Sequence, residues 1–126
     1  MPFSSTAGWI ALGLLPLGAA MGLVLRRFAK GSLVRRMRPH FILGYAALTF
    51  AVVHLALSMG AMASANGNGI WLATFAVAGL GAQAFSGASL QDPGAYRKPL
   101  RRWHVWLFWT VLVLSLLHIA FNAPFF

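Results

Sequence analysis

His40-Phe-Ile-Leu-Gly-Tyr-Ala-Ala-Leu-Thr-Phe-Ala-Val-Val-His54 and His104-Val-Trp-Leu-Phe-Trp-Thr-Val-Leu-Val-Leu-Ser-Leu-Leu-His118 are two apolar runs, each closed at both ends by a histidine, with the same separation of 14 residues. Neither contains a Lys, Arg, Asp or Glu. A membrane-spanning helix needs roughly 20 mostly apolar residues to cross a hydrocarbon core of about 30 Å. Both runs extend to that length, over about His40–Ala61 and about Trp103–Asn122.

Two further spans lie outside and between them. One runs from about Ala7 to Leu25 and stops at Arg26-Arg27; the other runs from about Ile70 to Leu90 and is broken by Asp92-Pro-Gly94. Ser64-Ala-Asn-Gly-Asn-Gly69 separates the second and third spans and reads as a turn, rich in Gly and Asn. The expectation is an all-α membrane protein with one transmembrane domain over residues 1–126, a bundle of four helices. No soluble domain is expected in what remains. The first span reads as a retained helix rather than a cleaved signal, because its charges follow the apolar run.

Composition agrees. Of the 126 residues, 60% are hydrophobic and 9% charged, against about a quarter charged in soluble domains. A net charge of +9 would ordinarily point to nucleic acid, but its distribution excludes that partner. All ten basic residues fall in two clusters, Arg26 to Arg38 and Arg97 to Arg102, separated by long uncharged runs. Basic residues mark the cytoplasmic side of membrane spans. The connections between spans one and two and between three and four are therefore expected in the cytoplasm, with both termini outside it. The expected setting is a bacterial inner membrane. The chain has no cysteine, which excludes thiolate-held iron–sulfur clusters, cysteine zinc sites, disulfides and c-type heme attachment.

The four histidines carry the chemistry. At about 100° per residue, 14 steps fall about 40° short of four full turns, so each pair shares a helix face, with a rise of about 21 Å between its members. Spans two and four run in the same direction. His40 and His104 are therefore expected together at the basic, cytoplasmic level, and His54 and His118 together at the outer level. Two facing imidazoles at each of two depths suit the axial ligation of two hemes, since a porphyrin supplies the four equatorial nitrogens. A structural zinc site would need four protein ligands in one place. A proton relay would need acidic partners at membrane depth, and the spans hold none. Single histidines in membrane helices can also simply hydrogen-bond to neighbours. Two identically spaced pairs that use every histidine favour the ligand reading, because buried polar groups in membranes are costly and usually functional.

A flat cofactor also needs room. Between His40 and His54 the positions on the same face are Gly44, Ala47 and Ala51, all small; the matching positions Phe108, Val111 and Ser115 are bulkier. Phe108 or Phe50 could pack between two hemes. Gly8, Gly13, Gly18 and Gly22 in the first span and Gly79 and Gly81 in the third serve close helix packing or cofactor contact. Among the basic residues, Arg38, Arg101 and Arg102 lie close to His40 and His104 and could pair with heme propionates through their fork of donors; membrane topology alone also accounts for them. Trp9, Trp71 and Trp103, near span ends, read as interface anchors.

Paired histidines at this spacing on two co-directed helices resemble the heme-binding bundle of the cytochrome b of quinol–cytochrome c reductase. They also resemble the ferric-reductase-like transmembrane domain of ferric reductases, NADPH oxidases and the heme subunit of bacterial methionine sulfoxide reductase systems. Arg35-Arg-Met-Arg-Pro-His40 and Arg101-Arg-Trp-His104 favour the second group. The resemblance covers about residues 35–120 and rests mainly on histidine spacing. It implies two b hemes, with His40 and His104 on the cytoplasmic-side iron and His54 and His118 on the outer-side iron. The four spans are fewer than that domain usually has, and no flavin or nicotinamide domain is visible.

The functional expectation is transmembrane electron transfer through two heme b groups, as the cytochrome b subunit of a larger redox complex in the lipid bilayer. Its partners would be other redox subunits or electron carriers, with quinone one option. Two alternatives stand beside it. One is a stand-alone quinol- or metal-reducing cytochrome, for which Asn66, Asn68, Gln83 and Asn122 are the few polar candidates. The other is a cofactor-free structural or assembly subunit.

Overall fold

The computed structural model describes residues 3–60, 66–92, 94 and 96–122. Among these, four helices account for nearly the whole chain: α1 Phe3–Phe28, α2 Leu33–Ser58, α3 Gly67–Ser89 and α4 Arg97–Asn122. At 23 to 26 residues each they measure about 35–39 Å, longer than the hydrocarbon thickness of about 30 Å. All four are apolar enough to cross a membrane. A helix satisfies its backbone hydrogen bonds internally, which is what an apolar segment in lipid requires.

The helices begin earlier than the apolar runs, and this relocates the basic residues. α2 starts at Leu33 and α4 at Arg97, so Arg35, Arg36, Arg38, Arg97, Lys98, Arg101 and Arg102 stand on helical turns rather than in connecting loops. Pro39 lies within α2 and Pro16 within α1. Each removes one backbone donor, which membrane helices tolerate. The Asn-Gly stretch is also partly helical. Asn66 caps α3, its side chain accepting from Asn68 N at 2.9 Å, and Gly67 to Gly69 form the first turn instead of a loop. The expected end of the second span at Ala61, and Ser64 and Ala65 of the turn motif, lie outside the described residues, as does Pro93.

The α1–α2 connection turns on Gly31, whose φ of 104° lies in the region open to glycine without steric cost. Arg36 Nη1 donates to Ala29 O at 3.4 Å across this turn. α1 packs along α2 and α3 along α4, giving two antiparallel hairpins that meet mainly through α2 and α3. Where they meet, each helix contributes one buried residue to a single cluster: Leu15, Ala47, Leu80 and Val111. Gly79 makes this approach possible, since a Cβ there would sit 2.9 Å from Val111 Cγ2. Large apolar side chains such as Leu23, Trp71, Phe85 and Trp106 are exposed on the outside of all four helices. In water such a surface would be an association site; on membrane-length helices it is the surface that lipid covers.

Candidate functional site

The bundle brings the histidines together as the spacing requires. His40 on α2 faces His104 on α4 with ring centroids 6.1 Å apart and planes at 73°. His54 faces His118 with centroids again 6.1 Å apart and planes at 75°. The first pair lies at the end of the bundle that carries the basic residues, the second toward the far end. α2 and α4 are therefore parallel.

In three of the rings a backbone carbonyl lies against Nδ1. His40 Nδ1 lies 2.8 Å from Gly18 O, His104 Nδ1 3.1 Å from Gln83 O, and His118 Nδ1 2.9 Å from Gly69 O. A carbonyl oxygen only accepts, so each of these contacts is a hydrogen bond in the tautomer that carries the proton on Nδ1 and leaves Nε2 its lone pair; at His118 the Asn122 Nδ2 also approaches Nδ1, at 3.2 Å. Metal-binding histidines are commonly oriented in this way, the second ring nitrogen donating to a carbonyl or carboxylate. With metal–imidazole bonds of about 2.0–2.1 Å, a centroid spacing of 6.1 Å is of the size that two rings sharing one metal ion would need. Among the described residues no group of three or more His, Cys, Asp or Glu gathers to hold a metal; each level presents two imidazoles.

Glycines seat the rings. A Cβ on Gly22 would stand 3.2 Å from His40 Nδ1, one on Gly8 3.0 Å from His54 Nδ1, and one on Gly87 3.2 Å from His104 Cε1. The position of a Cβ on Gly69 is filled by the Asn122 side chain, whose Nδ2 donates to His118 O at 3.0 Å. Gly8 and Gly22 are 14 residues apart, as are the carbonyls of Gly69 and Gln83. Sequence reading noticed glycines in α1 but missed Gly69, Gly87 and Ser86 as histidine neighbours. The signal that could have found Gly8 and Gly22 is the repeat of the histidine interval on the antiparallel neighbour.

Open space surrounds both pairs. A cavity of about 230 Å³ lies at His54 and His118, lined also by Gly8, Ala51 and Ser115. An apolar chamber of about 340 Å³ lies at His40 and His104 and includes Gly44, Gln83 and Phe108. A Cβ on Gly44 would meet nothing within 4 Å. Leu15 and Leu80 border both chambers and separate them. Phe108 packs against the same buried cluster; Phe50 lines none of these cavities.

Next to the His40 and His104 chamber is a mouth of about 730 Å³ lined by Arg26, Arg36, Arg97, Lys98 and Arg101. Arg36 Nε is buried there without a hydrogen-bond partner. Of the three arginines singled out by sequence, Arg101 lines the mouth, whereas Arg38 and Arg102 are exposed and line none of these cavities. Helical phase explains the difference. Two residues turn a helix by about 200°, placing Arg38 and Arg102 opposite His40 and His104, whereas offsets of three, four or seven residues return Arg101, Arg36 and Arg97 to the histidine face.

No protein-family model, curated protein or solved structure matches this chain. The reading of the site therefore stands on the residues and their geometry.

Proposed function

We propose that this chain is a membrane cytochrome b that conducts electrons across a bilayer through two bis-histidine heme b groups. His40 and His104 hold one iron, and His54 and His118 hold the other. The observation that carries this reading is the repeated imidazole pair, with one centroid spacing of 6.1 Å at both depths. When bound, heme b supplies an iron that alternates between ferric and ferrous and so takes up and gives up one electron.

The protein's own residues hold, orient and insulate. Backbone carbonyls of α1 and α3 keep the Nδ1 protons, so that Nε2 is the donor toward iron. Gly8, Gly22 and Gly87 allow the rings to lie against neighbouring helices, and Gly44 leaves one wall of the inner chamber flat. Arg26, Arg36 and Arg101 present guanidinium donors at the mouth, where they suit carboxylates; the orphaned Arg36 Nε supports an anionic occupant. Leu15 and Leu80 keep water out of the stretch between the two pairs.

The two levels suit an electron-transfer subunit more than a complete enzyme. Asn66 and Asn68 are exposed at the far end, while Gln83 and Asn122 stand beside the histidines, so the polar residues do not assemble a separate substrate pocket. The electron donor and acceptor are then other redox subunits or carriers, a quinone among the candidates. The clustering of basic residues at one end supports a bacterial inner membrane with that end in the cytoplasm and both termini outside.

The test is an absorbance spectrum of purified protein, oxidised and dithionite-reduced, with a heme-to-protein ratio. Two b hemes per chain, falling to one in His40→Ala or in His54→Ala, is the expected result. Protein that stays heme-free under ample heme supply would overturn the reading and favour a structural subunit.

A further inference from the structure

The two ligands of the inner pair are not held alike. His40 Nδ1 has one neighbour of the kind described, Gly18 O. His104 Nδ1 has two, Gln83 O at 3.1 Å and Ser86 Oγ at 3.0 Å. The Ser86 hydroxyl itself donates to Gln83 O at 2.9 Å, one helical turn back. Its proton is therefore committed to the carbonyl, and its oxygen faces the His104 N–H as an acceptor. Ser86 is 5% exposed, the one buried polar side chain among the described residues. Its bond to the carbonyl one turn back satisfies the hydroxyl proton, and the oxygen that remains is the atom turned to His104.

Resting on the diheme reading, we infer that Ser86 is a positioning residue for His104 that sets the potential of the inner heme alone. A second acceptor on Nδ1–H draws the proton away from the ring and makes the ligating nitrogen a stronger donor. A stronger axial donor stabilises ferric over ferrous iron and lowers the midpoint potential. Hydrogen bonding to the ligand is one of the levers a protein has on heme potential, beside ligand identity and burial. The triangle of Ser86, Gln83 and His104 also fixes the Nδ1–H tautomer and the ring's rotation.

The test is a redox titration of the α band in two backgrounds of the full chain. His54→Ala leaves the inner heme, and His40→Ala leaves the outer one. Ser86→Ala is expected to weaken the inner iron's preference for the ferric state about tenfold, an upward shift of about 59 mV for one electron. The outer heme is expected to keep its potential, and Ser86→Thr, which retains a hydroxyl able to bond one turn back, to restore the inner one. If alanine costs the inner heme altogether, Ser86→Cys, with its weak acceptor, must give the same upward shift. No shift, or equal shifts in both backgrounds, overturns the inference. Failure of the underlying reading is distinguishable, because the protein with native Ser86 would then contain no heme.

Discussion

Gly8→Leu tests the seating of the outer pair most directly. A Cβ on Gly8 would come within 3.0 Å of His54 Nδ1, 3.1 Å of Cε1 and 3.2 Å of Cγ, so three ring atoms are met at once. Relief to ordinary contact requires the ring to withdraw by roughly 0.5 Å, since carbon contacts are comfortable near 3.5–4.0 Å. Metal–ligand distances tolerate only about 0.2 Å, and a functional constellation about 0.5 Å. Alanine at this position therefore falls at the limit, and the three further carbons of leucine go well beyond it. The helix itself does not object, because leucine is a better helix former than glycine by nearly 1 kcal/mol. Gly13 is the control: a Cβ there meets nothing within 4 Å. The assay is the heme-to-protein ratio with a redox titration. Gly8→Leu is expected to give one heme per chain with the inner midpoint unchanged, Gly8→Ala a perturbed outer component, and Gly13→Ala two unaltered hemes. A Gly8→Leu protein with two unperturbed hemes would refute the claim that this glycine seats a ligand.

Three further outcomes follow from the same geometry. Gly44 lines the inner chamber and a Cβ there meets nothing within 4 Å, so Gly44→Leu should keep helicity and detergent stability while the inner heme is lost; circular dichroism beside a heme assay decides this, and retained inner heme counts against the chamber as its site. Arg36→Leu removes a cation from the basic mouth and should lower the inner midpoint by up to about 59 mV, a tenfold change, whereas Arg38→Leu, on the opposite face, should leave it in place. A single cysteine introduced at the exposed Ser32 should react with a membrane-impermeant thiol reagent only in inverted vesicles, and one at Asn66 only in intact spheroplasts; the reverse pattern would invert the proposed orientation.

Much of this architecture is legible in the chain. The spans and the histidine pairing follow from apolar length and an interval near four helical turns, and Gly44 follows from the same face. The helix starts were not legible from hydropathy, because Arg35 to Pro39 and Arg97 to Arg102 are polar enough to resemble loops while still lying on helical turns. That error carries directly into the arginines. Counted along a loop, Arg38 and Arg102 are the neighbours of His40 and His104; counted around a helix, they point away, while Arg101 keeps its place and Arg36 joins it. Ser86 and the carbonyl of Gln83 were illegible for another reason. Their relation to His104 depends on the register between two hairpin helices, which no local pattern specifies.

That register gives the site its deeper regularity. Antiparallel neighbours keep the sum of paired residue numbers constant, so an interval written on one helix must reappear on the other. Gly8 with His54 and Gly22 with His40 obey this rule, and so do Gly69 O with His118 and Gln83 O with His104. A histidine placed for hydrogen bonding alone would need one carbonyl partner and no facing imidazole. Four histidines that each meet another across the bundle, at least three of them with Nδ1 against a backbone carbonyl and at least three seated where a Cβ would crowd the ring, need a reason common to all of them. The proposed pair of hemes, one at each depth, would supply that reason. On the proposed reading, the buried septum of Leu15, Ala47, Leu80 and Val111, midway between the histidine levels, is the packing between the two chambers.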